Sequence, residues 1–194
     1  MAEQLAAMAG AAAPAADFAG WMLHEQRRIF LLCQRMLGES DEAGSATQDA
    51  FFKAYRALER NDAPPDDAAK WLTRIAVNTC LDRLRSRRWQ FWRKRPNQQD
   101  EELILAMAPS GSPDAEDRLF ARQIALRLAA ALDKLSARQR AVFTLRHYED
   151  HSLEEIATVL ALDVGTVKAH MARAVAKMRD ELKDLYAQRR GGRQ

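Results

Sequence analysis

Apolar residues recur every three or four positions along most of this chain, and the strict alternation typical of strands is absent. Segment 18–37 carries one such stripe, at Trp21, Ile29, Leu32, Cys33 and Met36. Turn-forming and capping residues at 38–44 then interrupt the pattern. A second helix follows, with its apolar stripe at Ala46, Ala50, Ala54 and Leu58.

Two prolines and four acidic or amide residues at 61–67 stop the second helix, and a third is predicted at about 68–92. Pro96 ends that helix, and the polar, proline- and glycine-containing stretch around an apolar LILAMA segment has the composition of a linker. Helical spacing resumes at 119–132 and 138–147 and in a final pair within 153–178. The sequence therefore predicts an all-α protein of two small helical domains joined by a flexible linker.

These elements divide the chain into five parts. They are a disordered alanine-rich tail at 1–17, a first domain at 18–95, a linker at 96–114, a second domain at 115–188 and a basic tail at 189–194. With 194 residues, of which 47% are hydrophobic, the chain can build two small cores.

The last two helices have the pattern of a helix-turn-helix. Residues that hold the two helices together are predicted at Ile156, Ala157, Leu160, Leu162, Val164, Val167 and Met171. Thr166 lies at the start of the second helix, where exposed amides can bind a phosphate. The outward positions include three candidate DNA contacts, Lys168, His170 and Arg173. A plain helical hairpin with a solvated basic face is the alternative.

A second candidate DNA surface lies on the third helix, far from the first in sequence. Steps of four, four and three residues place Arg74, Asn78, Asp82 and Arg85 on one helical face. A different stripe, which can face a core, contains Leu72, Ala76, Cys80 and Leu84. Because a short amide within a basic stripe lowers helix propensity, we expect Asn78 to bond something, such as an exposed base edge.

Charge is concentrated just beyond that face. The net charge is only +3, but residues 83–95 contain seven lysines and arginines, Arg88 among them, with tryptophan and phenylalanine between them. Such a cluster can supply phosphate contacts and stacking surfaces for single-stranded nucleic acid. A solvated helix end with aromatics packed on the domain is the alternative.

Several function classes lack support in the sequence. No apolar run approaches the length of a membrane span, and the alanine-rich start lacks the features of a signal peptide. Two cysteines within helices suit a reducing compartment, and we expect His147 and His151 to be surface or capping residues rather than metal ligands. We find no phosphate loop or catalytic motif, and therefore expect no catalytic residue, metal or cofactor.

Three segments in order resemble those of bacterial sigma factors, specifically the extracytoplasmic-function group of the sigma-70 family. They read DEAGSATQDAFFKAYRAL, then WLTRIAVNTCLDRLR, then LSARQRAVFTLRHYEDHSLEEIATVLALDVGTVKAHMARA. The resemblance covers about residues 20–95, similar to sigma region 2, and about 115–185, similar to sigma region 4. The last segment alone also resembles LuxR-type regulators, but these carry no WLxRIAxN helix ahead of their DNA-binding domain.

The resemblance implies a transcription initiation factor rather than an enzyme. The helix with TQDAFFKAYRAL would dock on the clamp of core RNA polymerase through Gln48, Asp49, Phe52 and Arg56; core packing is the alternative for Phe52. Asn78 would read an unstacked base of the minus-ten element, flanked by Arg74, Asp82 and Arg85. The second domain would hold the minus-thirty-five element through Lys168, His170 and Arg173.

The resemblance further implies a cytoplasmic protein with three partners: core polymerase, promoter DNA and an anti-sigma factor, which can hold it at the inner face of the membrane. The chain departs from the family pattern at Gly44 and Ser45 in place of an acidic pair, at Ala161 in place of a turn glycine, and at Ala169 and His170. Two alternatives remain open at this point. One is a LuxR-type stand-alone regulator, and the other is an interaction protein whose basic segments dock on acidic partners.

Overall fold

The computed structural model describes residues 17–60, 67–90 and 115–191, and all regular structure within these ranges is helical. In chain order the helices are α1 Phe18–Leu37, α2 Ser40–Glu59, α3 Ala68–Gln90, α4 Ala115–Asp133, α5 Ala137–His147, α6 Leu153–Leu160 and α7 Val164–Gly191. Helices α1–α3 form the first domain, and α4–α7 form the second. The predicted all-α, two-domain fold is confirmed. The predicted tail up to residue 16, the loop at 61–66 and the linker at 96–114 lie outside the described residues.

The first domain packs its three helices against one another around the predicted apolar stripes. Residues of all three stripes are fully buried, among them Ile29, Leu32, Met36, Ala46, Ala50, Ala54, Leu72, Ala76 and Cys80. Trp21 and Leu84 pack at the edge of this core. Helical spacing therefore identified the buried face of each helix correctly.

The break between α1 and α2 is shorter than the predicted interruption at 38–44. Gly38 ends α1 in the left-handed region at φ 79°, and its amide donates to Gln34 O at 2.8 Å. After Glu39 the chain enters α2 at once, with Asp41 and Glu42 in the first turn. Carboxylates there interact favourably with the amino-terminal end of the helix dipole, so residues read as turn formers in fact start the helix.

In the second domain, two serines cap the starts of α5 and α6. Ser136 and Gln139 form a reciprocal capping box at the start of α5, and Ser152 and Glu155 form another at the start of α6. Each box satisfies two backbone amides that the helix leaves without partners. A small core cluster, containing Leu132, Leu135, Ala174 and Met178 among others, fixes α4 against α7.

Helix α7 extends beyond the predicted end of the second domain. It continues to Gly191, whereas we expected a basic tail from residue 189. Arginine has high helix propensity, so the first residues of that tail extend the helix instead of leaving it. Residues 192–194 lie outside the described part of the chain.

The two domains are packed against each other. Helices α1 and α3 of the first domain contact α5 of the second, and α3 also contacts α6. A single apolar cluster includes Leu32 and Val77 from the first domain together with Val142 and Ile156 from the second. The described chain therefore has a core that crosses the domain boundary.

No helix among the described residues has the length and apolar character needed to cross a membrane.

Candidate nucleic-acid and polymerase-binding surfaces

The predicted DNA face of α3 is exposed along its length. The side chains of Arg74, Asn78, Asp82 and Arg85 are all solvent-exposed, while the residues of the opposite stripe face the core. Arg85 Nη2 donates to Asp82 Oδ1 at 2.6 Å, and both residues are more than half exposed. An exposed pair of this kind is weak, so the guanidinium can exchange the carboxylate for a phosphate at little cost.

Asn78 lies at the centre of this face. Within the described ranges, neither Asn78 nor Arg74 makes a side-chain hydrogen bond, so both side chains can bind a ligand without breaking an internal contact. Arg88 follows on the same helix, but its side chain lies outside the described residues, as does the basic-aromatic cluster at 91–95. The structure thus brings the four residues of the face together and leaves Arg88 a prediction.

The predicted polymerase contacts lie on the exposed side of α2. Phe52 is 61% exposed, which argues against the alternative of core packing. Gln48 and Asp49 are exposed beside it, and the guanidinium of Arg56 lies 5.6 Å from the centre of the Phe52 ring. Asp49 accepts a hydrogen bond from Arg83 of α3, which ties this surface to the helix that carries the DNA face.

A groove that the sequence reasoning did not identify runs along Phe52. It has a volume of about 390 Å³ between α1 and α2 and is lined by Phe18, Met22, Gln26, Thr47, Gln48, Phe51, Phe52 and Tyr55. Tyr55 is 44% exposed, and its ring packs edge-on against Phe18 at 5.4 Å. The signal was present in the sequence, because Phe52 and Tyr55 are aromatic residues three positions apart and lie off the alanine stripe.

The turn of the helix-turn-helix accommodates its alanine in an unusual backbone conformation. Ala161 ends α6 in the left-handed region, at φ 50° and ψ 53°. Immediately afterwards, the amide of Leu162 donates to Ala157 O at 2.9 Å and closes the turn. The backbone therefore keeps the shape that glycine provides in many such turns, at the cost of strain on an alanine side chain.

At the start of α7, the side chain of Asp163 accepts a hydrogen bond from the Thr166 amide, which we expected to bind a phosphate. The amide of Thr166 donates to Asp163 Oδ1 at 2.7 Å, and the Thr166 hydroxyl donates to Oδ2. These bonds lower the pKa of Asp163, the hydroxyl bond contributing most. Thr166 lies at the predicted surface, but its amide is already bonded in the free protein.

The outward residues of α7 differ in exposure. Lys168 and Arg173 are exposed, whereas His170 is half-buried and its Nδ1 atom has no hydrogen-bond partner. Burial is the main factor that lowers the pKa of His170, and the positive charges of Arg173 and Arg138 lower it further. Neutral imidazole can accept a hydrogen bond as well as donate one, which suits contact with a base edge.

Arg138 belongs to this surface, and the sequence reasoning missed it. It lies on α5 and donates from Nη1 to Leu160 O at 3.1 Å, next to the turn. The pKa of His170 is lowered mainly by burial, then by the charge of Arg173, and the positive charge of Arg138 lowers it further. No local sequence pattern could reveal this, since the two residues are 32 positions apart and lie on different helices that pack against each other.

The two histidines considered as metal ligands have different surroundings. His147 is exposed, as expected, and packs on Phe143 with ring centres 4.4 Å apart. His151 is buried, contrary to the expectation of a surface or capping role, and its Nδ1 lies 2.8 Å from Glu149 O. The described residues contain no group of three or more histidine, cysteine or acidic side chains that could hold a metal ion.

Both halves of the chain match models of known protein families. Residues 21–90 match the family described as Sigma-70 region 2, and residues 125–178 match Sigma-70, region 4. The chain is 30% identical over 159 residues to the ECF RNA polymerase sigma factor SigW of Bacillus subtilis, covering 81% of this chain and 84% of that protein. It is 32% identical over 158 residues to the RNA polymerase sigma-H factor of Pseudomonas aeruginosa, covering 79% of each.

Two solved structures are similar in fold. The sigma factor RpoE in complex with the anti-sigma factor NepR from Bartonella quintana superposes with a TM-score of 0.63 at 24% identity, over 86% of this chain and 97% of that one. CnrH in complex with the cytosolic domain of CnrY gives a TM-score of 0.56 at 25% identity, over 85% and 87% of the two chains. The chain belongs to the extracytoplasmic-function group of the sigma-70 family.

Proposed function

We propose that this chain binds core RNA polymerase and directs it to promoters that contain a minus-ten and a minus-thirty-five element. One observation carries the proposal: two separate helices, α3 and α7, each present an exposed basic face, and the helix in front of α3 presents an exposed aromatic surface. A stand-alone regulator of the LuxR type needs only the second of these faces, and the match to region 2 does not favour that alternative.

Polymerase binding is assigned to α2. Phe52 and Tyr55 are large aromatic side chains exposed beside a groove, and Gln48, Asp49 and Arg56 surround them with polar groups. Buried aromatic anchors with a polar rim are typical of protein–protein hot spots. The clamp helices of the polymerase largest subunit would cover this surface.

Capture of the minus-ten element is assigned to α3. Asn78 has free donors and an acceptor for the edge of an unstacked base, and Arg74 and Arg85 lie on the same face to hold the adjacent phosphates. Removing a base from its stack costs a few kcal/mol, so hydrogen bonds and stacking must offset that cost. The face supplies the hydrogen bonds, and we assign stacking to the aromatic residues that follow α3.

Recognition of the minus-thirty-five element is assigned to α7, through Lys168, His170 and Arg173 in the major groove. Each domain would bind its element weakly. Because one chain carries both, the first contact raises the effective concentration for the second. Polymerase would fix the spacing between them, so free protein should bind promoter DNA poorly.

We also propose regulation by an anti-sigma factor in the cytoplasm. One of the two solved structures that the chain resembles was determined with an anti-sigma factor, NepR, bound to its sigma factor. The groove beside Phe52 is a suitable docking site, because a partner seated there would cover the proposed polymerase contacts. A partner anchored in the inner membrane would hold the protein at its cytoplasmic face.

The direct test is run-off transcription with purified core polymerase on a library of genomic fragments, with and without the full chain. We expect protein-dependent transcripts whose start sites share two upstream elements at fixed spacing. The matched control is Phe52→Ala, which should reduce polymerase binding and all transcripts together. Sequence-specific binding of duplex DNA by the protein alone, without protein-dependent transcripts, would instead identify a stand-alone regulator.

A further inference from the structure

The chain has two cysteines, and they lie side by side in the core of the first domain. Cys33 belongs to α1 and Cys80 to α3, and neither side chain is exposed to solvent. The two helices pack directly against each other, and the S–H group of Cys80 donates a hydrogen bond to the sulfur of Cys33. Residues 47 positions apart in the sequence therefore form a pair of thiols in contact.

The surroundings of the pair make one thiol more reactive than the other. The hydrogen bond from Cys80 is the largest cause that lowers the pKa of Cys33, and it outweighs burial, which acts in the opposite direction. The hydroxyl of Thr47 and the positive charge of Arg83 lower this pKa further. The pairing and burial together raise the pKa of Cys80. Because the thiolate is the reactive form of cysteine, Cys33 is the sulfur that we expect to be oxidised first.

A route from solvent to the pair begins at the groove beside Phe52. Thr47 lines this groove, and its side chain also contacts the sulfur of Cys33. The groove has a volume of about 390 Å³, which is ample for a molecule such as hydrogen peroxide, little larger than a water molecule with its share of about 30 Å³ of the liquid. A small oxidant in the groove is therefore separated from Cys33 by little more than the Thr47 side chain.

We propose that Cys33 and Cys80 form a reversible oxidation site, which hydrogen peroxide or another small hydroperoxide converts to a disulfide. The Cys33 thiolate attacks one peroxide oxygen, so that an S–O bond forms and the O–O bond breaks; the departing hydroxide takes up the proton that Cys33 released. The Cys80 sulfur then attacks the sulfenic acid sulfur, the S–S bond forms, and the hydroxide leaves as water with the Cys80 proton. Two thiols thus give two electrons to one peroxide, and a dithiol reverses the reaction by exchange.

Closing the disulfide changes how α1 and α3 pack. A disulfide holds its sulfurs about 2 Å apart, so sulfurs in hydrogen-bond contact must approach by about 1–2 Å. A close-packed core transmits such a movement to the helices around it. Cys80 lies two positions after Asn78, so the movement displaces the face proposed to read the minus-ten element. We expect the oxidised protein to open promoters severalfold less well, and this effect rests on the proposed function.

The site is tested by treating the reduced full chain with hydrogen peroxide, under conditions that oxidise glutathione, and then with N-ethylmaleimide before intact-mass spectrometry. Because the chain has two cysteines, an intramolecular disulfide gives a monomer without maleimide adducts and with two hydrogens fewer. We expect this species to form with peroxide and to disappear after dithiothreitol. Two maleimide adducts on every chain, or oxidation to intermolecular dimers or sulfinic acid alone, would overturn the proposal.

Single substitutions test the order of the two steps and the route. Cys80→Ser should stop the reaction at a sulfenic acid on Cys33, which dimedone traps, whereas Cys33→Ser should react severalfold more slowly. Equal reactivity of the two variants would overturn the assignment of Cys33 as the attacking sulfur. Thr47→Val should slow disulfide formation severalfold, and the control is Thr79→Val, a buried threonine whose hydroxyl accepts from Lys53 instead. Equal slowing by both threonine variants would overturn the route through Thr47, and circular dichroism verifies that each variant is folded.

The oxidation site and the proposed function fail separately. Disulfide formation in a chain that gives no promoter-specific transcript when reduced would overturn the proposed function and leave the oxidation site in place. Promoter-specific transcription by a chain whose thiols stay free in peroxide would overturn the oxidation site alone. Equal transcription by the reduced and the oxidised protein would overturn the expected effect on promoter opening.

Discussion

The two candidate DNA surfaces of this protein are built in different ways. On α3, the four residues of the face project from the middle of a 23-residue helix whose other side is buried in the domain core. On α7, the face lies near the start of the helix, next to a capping aspartate, a strained alanine turn and an arginine from another helix. One face depends on a single helix, and the other on several elements meeting at a turn.

This difference corresponds to two modes of recognition. A flat face with an uncommitted amide at its centre suits single-stranded DNA, whose bases can turn towards the protein. A capped helix start presented by a rigid turn suits duplex DNA, because the groove requires one docking angle. We therefore expect substitutions on α3 to affect promoter opening, and those around α7 to affect recruitment and stability.

The largest effect is expected for Asn78→Ala. It should lower promoter opening by about tenfold to a hundredfold, as expected for the loss of a base contact of about 1–3 kcal/mol. Polymerase binding should be unchanged, because α2 carries those contacts. Permanganate reactivity of unpaired thymines would measure opening, and Gln123→Ala, another exposed amide, is the control. Equal loss of opening and polymerase binding would contradict a base-reading role.

Arg173→Ala should have a moderate effect on recruitment. Loss of one phosphate or base contact should weaken binding of the holoenzyme to the minus-thirty-five element. It should also reduce the slope of log affinity against log salt concentration by about 1. Affinity measured by fluorescence anisotropy at several salt concentrations gives both quantities. The control is Arg179→Ala, which removes another exposed arginine further along the same helix. If both variants reduced the salt dependence equally, the result would indicate a general basic surface rather than a specific contact at Arg173.

Ala161→Gly should stabilise the second domain by about 0.5–1 kcal/mol. Glycine relieves the strain of the left-handed conformation at φ 50°, partly offset by greater freedom of the unfolded chain. Chemical denaturation followed by circular dichroism would measure the change. Ala176→Gly, at an exposed position within α7, is the control and should instead lower the free energy of unfolding by about 1 kcal/mol. A destabilising effect at both positions would show that the turn carries no strain.

The smallest effect concerns the pKa of His170. Burial and the charges of Arg173 and Arg138 lower this pKa, so Arg173→Ala should raise it towards the ordinary value. Because the folded pKa is lowered, this group contributes stability that is present at neutral pH and is lost as pH falls below the unfolded value of about 6.5. An NMR titration of the imidazole would measure the shift. The Arg179→Ala variant should leave the titration unchanged.

Spacing within single helices was enough to predict most of the fold. The stripes at Ala46, Ala50 and Ala54 and at Leu72, Ala76 and Cys80 are buried as expected, because a helix that covers a core must place apolar residues on one face. The exposed face with Asn78 follows from the same geometry. Local periodicity therefore identified α3 and α7 as the helices with outward basic faces.

Features that depend on packing between distant segments were not predicted. Arg138 joins the α7 surface, and His151 is buried, only because of how α5 and α6 meet their neighbours. The contact of Arg28 with Glu149 joins residues 121 positions apart, and both are polar types usually found in solvent. A one-dimensional pattern contains no information about which polar residues will meet.

Glu155 serves both the helix cap and the domain boundary. One carboxylate oxygen accepts from Lys70 Nζ at 2.6 Å, and the other accepts from the Ser152 amide at 2.7 Å. The bond from Lys70 is the largest cause, and the bond from Ser152 the next, of a pKa of Glu155 lowered to about 2. Glutamine also completes a capping box but carries no charge. A Glu155→Gln change, which requires a single base substitution, therefore keeps the helix start while weakening the contact with Lys70. The strength of the contact between the two domains can therefore change at this one position, while the residues proposed to bind DNA and polymerase stay the same.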